Sequence, residues 1–283
     1  MNRLCALSGI AALCLSVSSY GQALDAALHP STVSSGFIRP AVTSEGQSSG
    51  PFSRVSIGGG VSPLGVQMQV TTNINQHVNL RFAHNMFNYS TSFATSGVTV
   101  NAKLNLDSSL AAVDLYPFHS GFRLSAGALM LNQNKVTAAA PIAGGTSFTL
   151  NGDTFYSANA NSTTGATPID GTGSLLLNAT TPAVTVTAGW GNTIPRRGHW
   201  SFPFEIGAAF TGAPAIINAN LTGWACYDQA QTMCTNLAST TDPIAIRVQN
   251  DLTAQIATWK KDLDPLRTYP IISFGIAYSF RVR

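Results

Sequence analysis

Three ionisable residues, Arg81, Arg123 and Glu205, occupy equivalent places in separate stretches of the chain. Each stands in the small or polar row of a segment whose alternate residues are large and apolar, as in Leu80-Arg81-Phe82, Phe122-Arg123-Leu124 and Phe204-Glu205-Ile206. The chemistry open to such a set is charge pairing, because a charge enclosed in a narrow space is costly unless it meets its opposite. Glu205 is therefore expected to pair with Arg123 or Arg81, among the amides Gln67, Gln69, Asn79 and Asn85. Zinc-hydrolase and phosphate-loop patterns are not seen: the chain has no His-Glu-x-x-His and no phosphate-binding Gly-Lys-Ser/Thr. The 5 histidines, at 29, 77, 84, 119 and 199, are scattered near turns and segment ends and form no metal-ligand spacing. Neither an enzymatic role nor a cofactor is expected. Cys226 and Cys234 have no histidine beside or between them, so a disulfide closing a short loop is expected rather than a metal site.

Positioning such residues requires strands. Side chains of a strand alternate between its faces, and the last segment, Tyr269 to Phe280, shows the pattern most clearly. Ile272, Phe274, Ile276, Tyr278 and Phe280 share one face, and Ser273, Gly275, Ala277 and Ser279 the other. The same period of two recurs from Val55 to Val61, Leu64 to Ile74, Val78 to Met86, Leu104 to Asp114, Phe122 to Met130, Val184 to Trp190 and Trp200 to Phe210. In the segment from Leu104, the row Leu104, Leu106, Leu110 and Ala112 reads as the apolar face, and Asp114 breaks the pattern. His84 falls on the apolar face of its segment, which suggests a bulge or an interfacial place. Gly58-Gly59-Gly60 suits close packing inside a narrow strand assembly.

Composition says which side the apolar rows face. Only 10% of the 283 residues are charged while 45% are hydrophobic, too little charge to clothe a water-soluble domain of this length. A secreted lipocalin-like barrel would carry charge outward and is disfavoured for that reason. The formal charge of +3 is spread thinly, without a basic cluster beyond Arg196-Arg197 and Lys260-Lys261, so no nucleic-acid partner is expected. No apolar run beyond the N-terminus is long enough for a membrane helix. The expected fold is all-β: an antiparallel transmembrane β-barrel of about eight strands, with apolar rows toward lipid and small or polar rows inside. Aromatic residues gather at strand ends, with Tyr116, Trp190, Trp200, Tyr278 and Phe280 as candidates for an interfacial girdle.

Organisation follows. Arg3, the apolar run Leu4 to Val17 and the small residues to Ala23 read as a signal peptide over 1–23, with 24–51 a flexible leader and 52–283 the barrel domain. Connections at Asn75-Gln76, Phe118 to Gly121 and Asn192 to His199 are short and suit a periplasmic side. Those at Ser90 to Asn101, Thr137 to Pro182 and Thr211 to Arg267 are longer and suit the outside. The last contains one amphipathic helix, in which Val248, Leu252, Ile256, Trp259 and Leu263 share a face after the start signal Asp242-Pro243. It is expected to dock on the barrel rim.

The segments Val113 to Phe118 with Gly121 to Ser125, Trp200 to Phe210 and Tyr269 to Phe280 resemble a family of bacterial outer-membrane β-barrel proteins, small OmpA- or OmpW-like barrels. The resemblance extends over roughly 52–283. It implies outer-membrane lipid as surroundings, the barrel-assembly machinery as a partner through the C-terminal strand and Phe280, and no reaction. Two functions are expected to compete: a structural or narrow-passage barrel, and a surface-binding, adhesin-like barrel acting through its long loops.

Overall fold

A computed structural model describes residues 50–95, 98–118, 121–177 and 181–282. The expected signal peptide over 1–23 and the leader as far as residue 49 lie outside the described residues, as does His119. Strands alternate along nearly the whole of the rest: β1 Arg54–Ser62, β2 Gly65–Asn73, β3 Val78–Thr95, β4 Val98–Leu115, β5 Phe122–Asn132, β6 Lys135–Ile142, β7 Ser147–Leu150 and β8 Asp153–Ser157. They continue as β9 Ile169–Leu176, β10 Ala183–Trp190, β11 Trp200–Ser201, β12 Phe204–Phe210, β13 Ala215–Thr222, β14 Trp224–Cys226 and β15 Cys234–Asn236. The helix α1, Pro243–Leu263, precedes a short 3-10 turn and the last strand, β16 Thr268–Arg281.

Antiparallel pairing runs β1-β2-β3-β4-β5-β10-β12-β16 and returns from β16 to β1, closing a ring of eight strands. Val61, Met68, Phe82, Val113, Leu124, Val186, Ile206 and Phe274 are all exposed on its outside, while Ser56, Gln69, Arg81, Asp114, Arg123, Thr187, Glu205 and Ser273 are buried within it. Pro203 supplies no backbone donor, so the seventh member of the ring divides into β11 and β12 at that residue.

The connections at one end of the ring are short, and those at the other are folded structure except for the tight turn between β1 and β2. β3 and β4 do not stop at Ser90 and Asn101 as expected; they pair continuously from Val78↔Leu115 to Thr95↔Val98. Alternating Phe, Tyr, Thr and Val sustains the strands beyond the ring. Likewise Thr137 to Pro182 is not simply a polar loop. β6 and β9 within it join β13 in extending the upper half of β4 into an open sheet ordered β3-β4-β6-β9-β13.

A separate four-stranded sheet, ordered β15-β14-β8-β7, completes this head. Its core comprises Phe148, Leu150, Phe155, Ile169, Ala225 and Leu237, with Val248 and Leu252 from α1. Ser157 ties the two sheets together, donating to the Ile142 carbonyl at 2.8 Å and accepting from the Ile169 N–H at 2.9 Å. α1 begins where expected, with Asp242 accepting the Ile244 N–H at 2.8 Å as N-cap. It packs on β7, β13, β14 and β15 rather than on the rim of the ring, because that sheet offers the apolar surface its Val248–Leu252 face needs. Trp259, expected on that face, is 45% exposed.

The faces of β4 are the reverse of the sequence expectation. Leu106, Leu110 and Ala112 point inward with Asp114 and Tyr116, and Val113 and Leu115 point out. Tyr116 therefore does not join an outer girdle; it is 2% exposed, inside the ring. His84 needs no bulge: its register with both neighbours is unbroken, and it faces Ser109 at 3.0 Å on the outside, beside Asp107. Leu64, read as part of an outward row, is 3% exposed, turned inward at the β1–β2 turn.

Candidate functional site

The ring's interior is organised around four charges carried by four different strands. Arg81 comes from β3, Asp114 from β4, Arg123 from β5 and Glu205 from β12, and none is more than 1% exposed. Arg81 donates from Nη1 to Glu205 Oε1 at 3.0 Å and from Nη2 to Oε2 at 2.9 Å, a two-pronged pair across the interior. Arg123 Nη2 reaches the same Oε2 at 2.8 Å. On the other side Arg81 Nε donates to Asp114 Oδ1 at 3.3 Å, while Arg123 Nη1 lies 3.8 Å from Asp114 Oδ2. Two guanidinium groups thus meet two carboxylates, and the layer is neutral.

Neighbouring strands are shaped around it. Ser125 donates to Asp114 at 2.6 Å and Thr187 to Glu205 at 3.3 Å. Gly189 stands in register with both Arg123 and Glu205. A Cβ there would lie 2.3 Å from the Phe204 carbonyl oxygen and 3.0 Å from Glu205 Cβ, so glycine is what allows the two strands and their charged side chains to close.

Below the charges, toward the short connections, the first residues of the Asn192 to Gly198 segment fold into the opening. Asn192 accepts from Asn79 Nδ2 at 3.2 Å and from its own segment's Ile194 N–H at 2.9 Å, and Thr193 and Ile194 are buried. Above them, Gln67 donates to Asn85 at 3.3 Å, and Asn85 to Ser108 at 3.4 Å. A cluster of Leu64, Ala83, Leu110, Ala112, Leu129, Ala183, Ala209 and Ile271 lies toward the head, where Tyr269 donates to the Pro63 carbonyl at 2.8 Å. The interior expected to be mostly polar therefore carries an apolar layer as well.

In this layer the charged groups face one another. The Ser125 and Thr187 hydroxyls are turned onto these carboxylates as donors. What the layer does is fix strand register: a slip of one residue in β3, β4, β5 or β12 would turn a charge outward. Asp114 and Gly189 are the participants that sequence reasoning missed. The local triplet Val113-Asp114-Leu115 was the available signal for the first.

Of the expected girdle, Trp190, Trp200, Tyr278 and Phe280 lie on the outside at the short-connection end. Trp200 meets Tyr278 edge-on at 5.0 Å, His199 stacks on Tyr278 at 5.3 Å, and Phe122 links Trp190 to Phe118. In the head, Cys226 and Cys234 are disulfide-bonded and stand directly opposite each other in β14 and β15.

No protein-family model and no curated protein matches the chain. Among solved structures it is similar to Acinetobacter baumannii CarO2, with 16% identity and a TM-score of 0.46, over 80% of this chain and 98% of that one. It is similar to Acinetobacter baumannii CarO at 17% identity and a TM-score of 0.47, over 81% of this chain and 97% of that one.

Proposed function

We propose that the ring is a transmembrane β-barrel of the bacterial outer membrane, serving a structural role with its interior closed and its folded head outside the cell. The observation that carries this reading is the inverted distribution of polarity. Met68, Phe82, Val186, Phe274 and their neighbours are half-exposed or more around the ring, whereas Arg81, Asp114, Arg123 and Glu205 are enclosed. Exposing a large aliphatic or aromatic side chain to water costs about 1.5–3 kcal/mol each, and a continuous belt of them exceeds the apolar patches of soluble monomers. In hydrocarbon the cost disappears. β1 and β2, of 9 residues each, and β5, of 11, match the span of about 9–11 residues that a tilted strand needs. On this reading residues 1–23 direct export, and β16 is the strand presented to the assembly machinery.

The neutral ionic layer and the apolar layer above it favour a structural role over passage of solutes, since a passage would have to break both. Planar-bilayer recording of the purified chain tests this: silent bilayers are expected, and reproducible unitary openings would reverse it. The head, with a hydrophobic core of its own, supports a second reading, in which the barrel anchors a surface-binding module.

A further inference from the structure

Among the described residues, the charged side chains in the connections and at the outermost strand positions of the short-connection end are all arginines. Arg54 and Arg281 are direct cross-strand partners at the ends of β1 and β16, an arrangement of like charges that is destabilising by itself. Arg196, in the connection after β10, lines the same cleft, its Nη2 donating to the Gln76 carbonyl at 3.4 Å. The ion pairs of the described residues lie elsewhere: in the interior, in the head and, for His84 with Asp107, on the outside of β3 and β4. The described connections at this end, 50–53, 74–77, 116–118 and 191–199, contain no Asp or Glu.

These residues surround a cleft of about 390 Å³ lined by Arg54, Arg196, Gly198, His199, Phe280 and Arg281. Arg54 Nη2 is held by Ser279 Oγ at 3.2 Å, while its Nε is buried without a hydrogen-bond partner. His199 is fixed by the Ser279 carbonyl at 2.8 Å and by stacking on Tyr278. Arg54 and Arg281 stand at the mouth of the ring in the row that includes inward-facing Ser279, and Phe280, which lines the same cleft, opens the outward row that continues with Tyr278 and, on β11, Trp200. Guanidinium groups beside an aromatic strip suit a phosphate that carries acyl chains.

We propose that this cleft binds the phosphoryl headgroup of an anionic phospholipid, with Arg54, Arg196 and Arg281 around the phosphate and the acyl chains along Phe280, Tyr278 and Trp200. The proposal rests on the membrane reading above, and it places the site in the inner leaflet. Neutralising the Arg54–Arg281 repulsion would make the bound lipid stabilise closure between β1 and β16, the first and last strands of the ring.

The test is native mass spectrometry of the full chain in detergent, titrated with phosphatidylglycerol, with phosphatidylcholine and with inorganic phosphate. The wild type should retain one phosphatidylglycerol in preference to phosphatidylcholine. Arg54→Gln with Arg281→Gln should weaken retention at least about ten-fold. Arg196→Gln, which leaves the β1–β16 pairing untouched, should weaken it in the same direction, and Arg54→Lys with Arg281→Lys should retain part of it. Lys260→Gln with Lys261→Gln, in the head, should change nothing. Equal retention by the arginine and glutamine forms would overturn the proposal, as would inorganic phosphate displacing the lipid completely at comparable concentration. Insertion into phosphatidylcholine vesicles, followed by the heat-modified gel shift, separates the two readings: insertion without selective retention defeats the cleft alone, and failure to insert defeats both.

Discussion

Arg81 and Glu205, 124 residues apart in sequence, form a two-pronged ion pair across the interior of the ring, with contacts of 3.0 and 2.9 Å. The pair is enclosed, so removing one partner strands the other. Glu205→Gln leaves Arg81 and Arg123 facing Asp114 alone and is expected to destabilise the ring by about 3–5 kcal/mol. Loss of the heat-modified gel shift at a lower temperature would report it. The double variant Arg81→Met with Glu205→Leu leaves Arg123 and Asp114 to balance each other and should melt closer to wild type than Glu205→Gln does. An unchanged melting temperature in Glu205→Gln would sink the account of the ionic layer as a stabilising pairing.

Gly189 offers a steric test of the same layer. Because a Cβ there meets the Phe204 carbonyl oxygen at 2.3 Å, Gly189→Ala must push β10 away from β12 and loosen the contact between Arg123 and Glu205. A cost of about 1–3 kcal/mol is expected, as for other overpacked sites. Gly59→Ala is the control, since its nearest neighbour would be the Gln67 carbonyl oxygen at an ordinary 3.5 Å. Equal thermal stability of the two variants would remove the special role assigned to Gly189.

The outside of the ring predicts a depth profile. Val186 and Phe274 lie within the exposed apolar belt and Phe118 lies at its margin near the short connections. Arginine at 186 or 274 should cost about 2–4 kcal/mol in reversible unfolding from lipid vesicles, and arginine at 118 about 0–1. A flat profile, or variants that gain solubility without detergent, would argue that the belt faces a protein partner instead of lipid.

Strand order and the inward positions of Arg81, Arg123 and Glu205 were legible because β1, β2, β3, β5, β10, β12 and β16 alternate large apolar with small or polar residues. β4 was not, for a physical reason. The apolar layer inside a small ring fills its space with Leu106, Leu110 and Ala112, so both faces of that strand carry apolar side chains there. Hydrophobicity then stops reporting direction, and Asp114 looked like an interruption instead of a member of the ionic layer. Tyr116 was misplaced by the same inversion. The head was obscured differently: its strands are 3 to 5 residues long in β7, β8, β14 and β15, too short for a period of two to stand out from Thr, Ser and Gly.

The head should respond to reduction independently of the ring. Cys226 and Cys234 are 8 residues apart and join β14 to β15 within the four-stranded sheet, which is separate from the sheet of the ring. Cys226→Ser with Cys234→Ser should remove about 2–3 kcal/mol of loop-closure stabilisation from the head alone. Limited proteolysis should then cut between β14 and β15 while the heat-modified shift of the ring stays unchanged. A parallel loss of that shift would show that head and ring fold as one cooperative unit.

Asp228, in the same loop, predicts a pH dependence. Its carboxylate accepts the Thr232 N–H at 3.0 Å, the Thr232 hydroxyl at 2.7 Å and the Met233 N–H at 2.9 Å. These bonds, led by the Thr232 N–H, favour the ionised form and hold the group below its ordinary value. A depressed carboxylate stabilises the loop fully above the ordinary aspartate value of about 4, and the contribution is lost as pH falls through the lowered one. The amide proton shifts of Thr232 and Met233 should therefore stay constant from neutral pH down to about 4 and move only at more acidic pH. In Asp228→Asn the same shifts should be independent of pH across that range. A transition in the wild type above the ordinary value would mean that the carboxylate is destabilised in the loop, the opposite of what its three donors require.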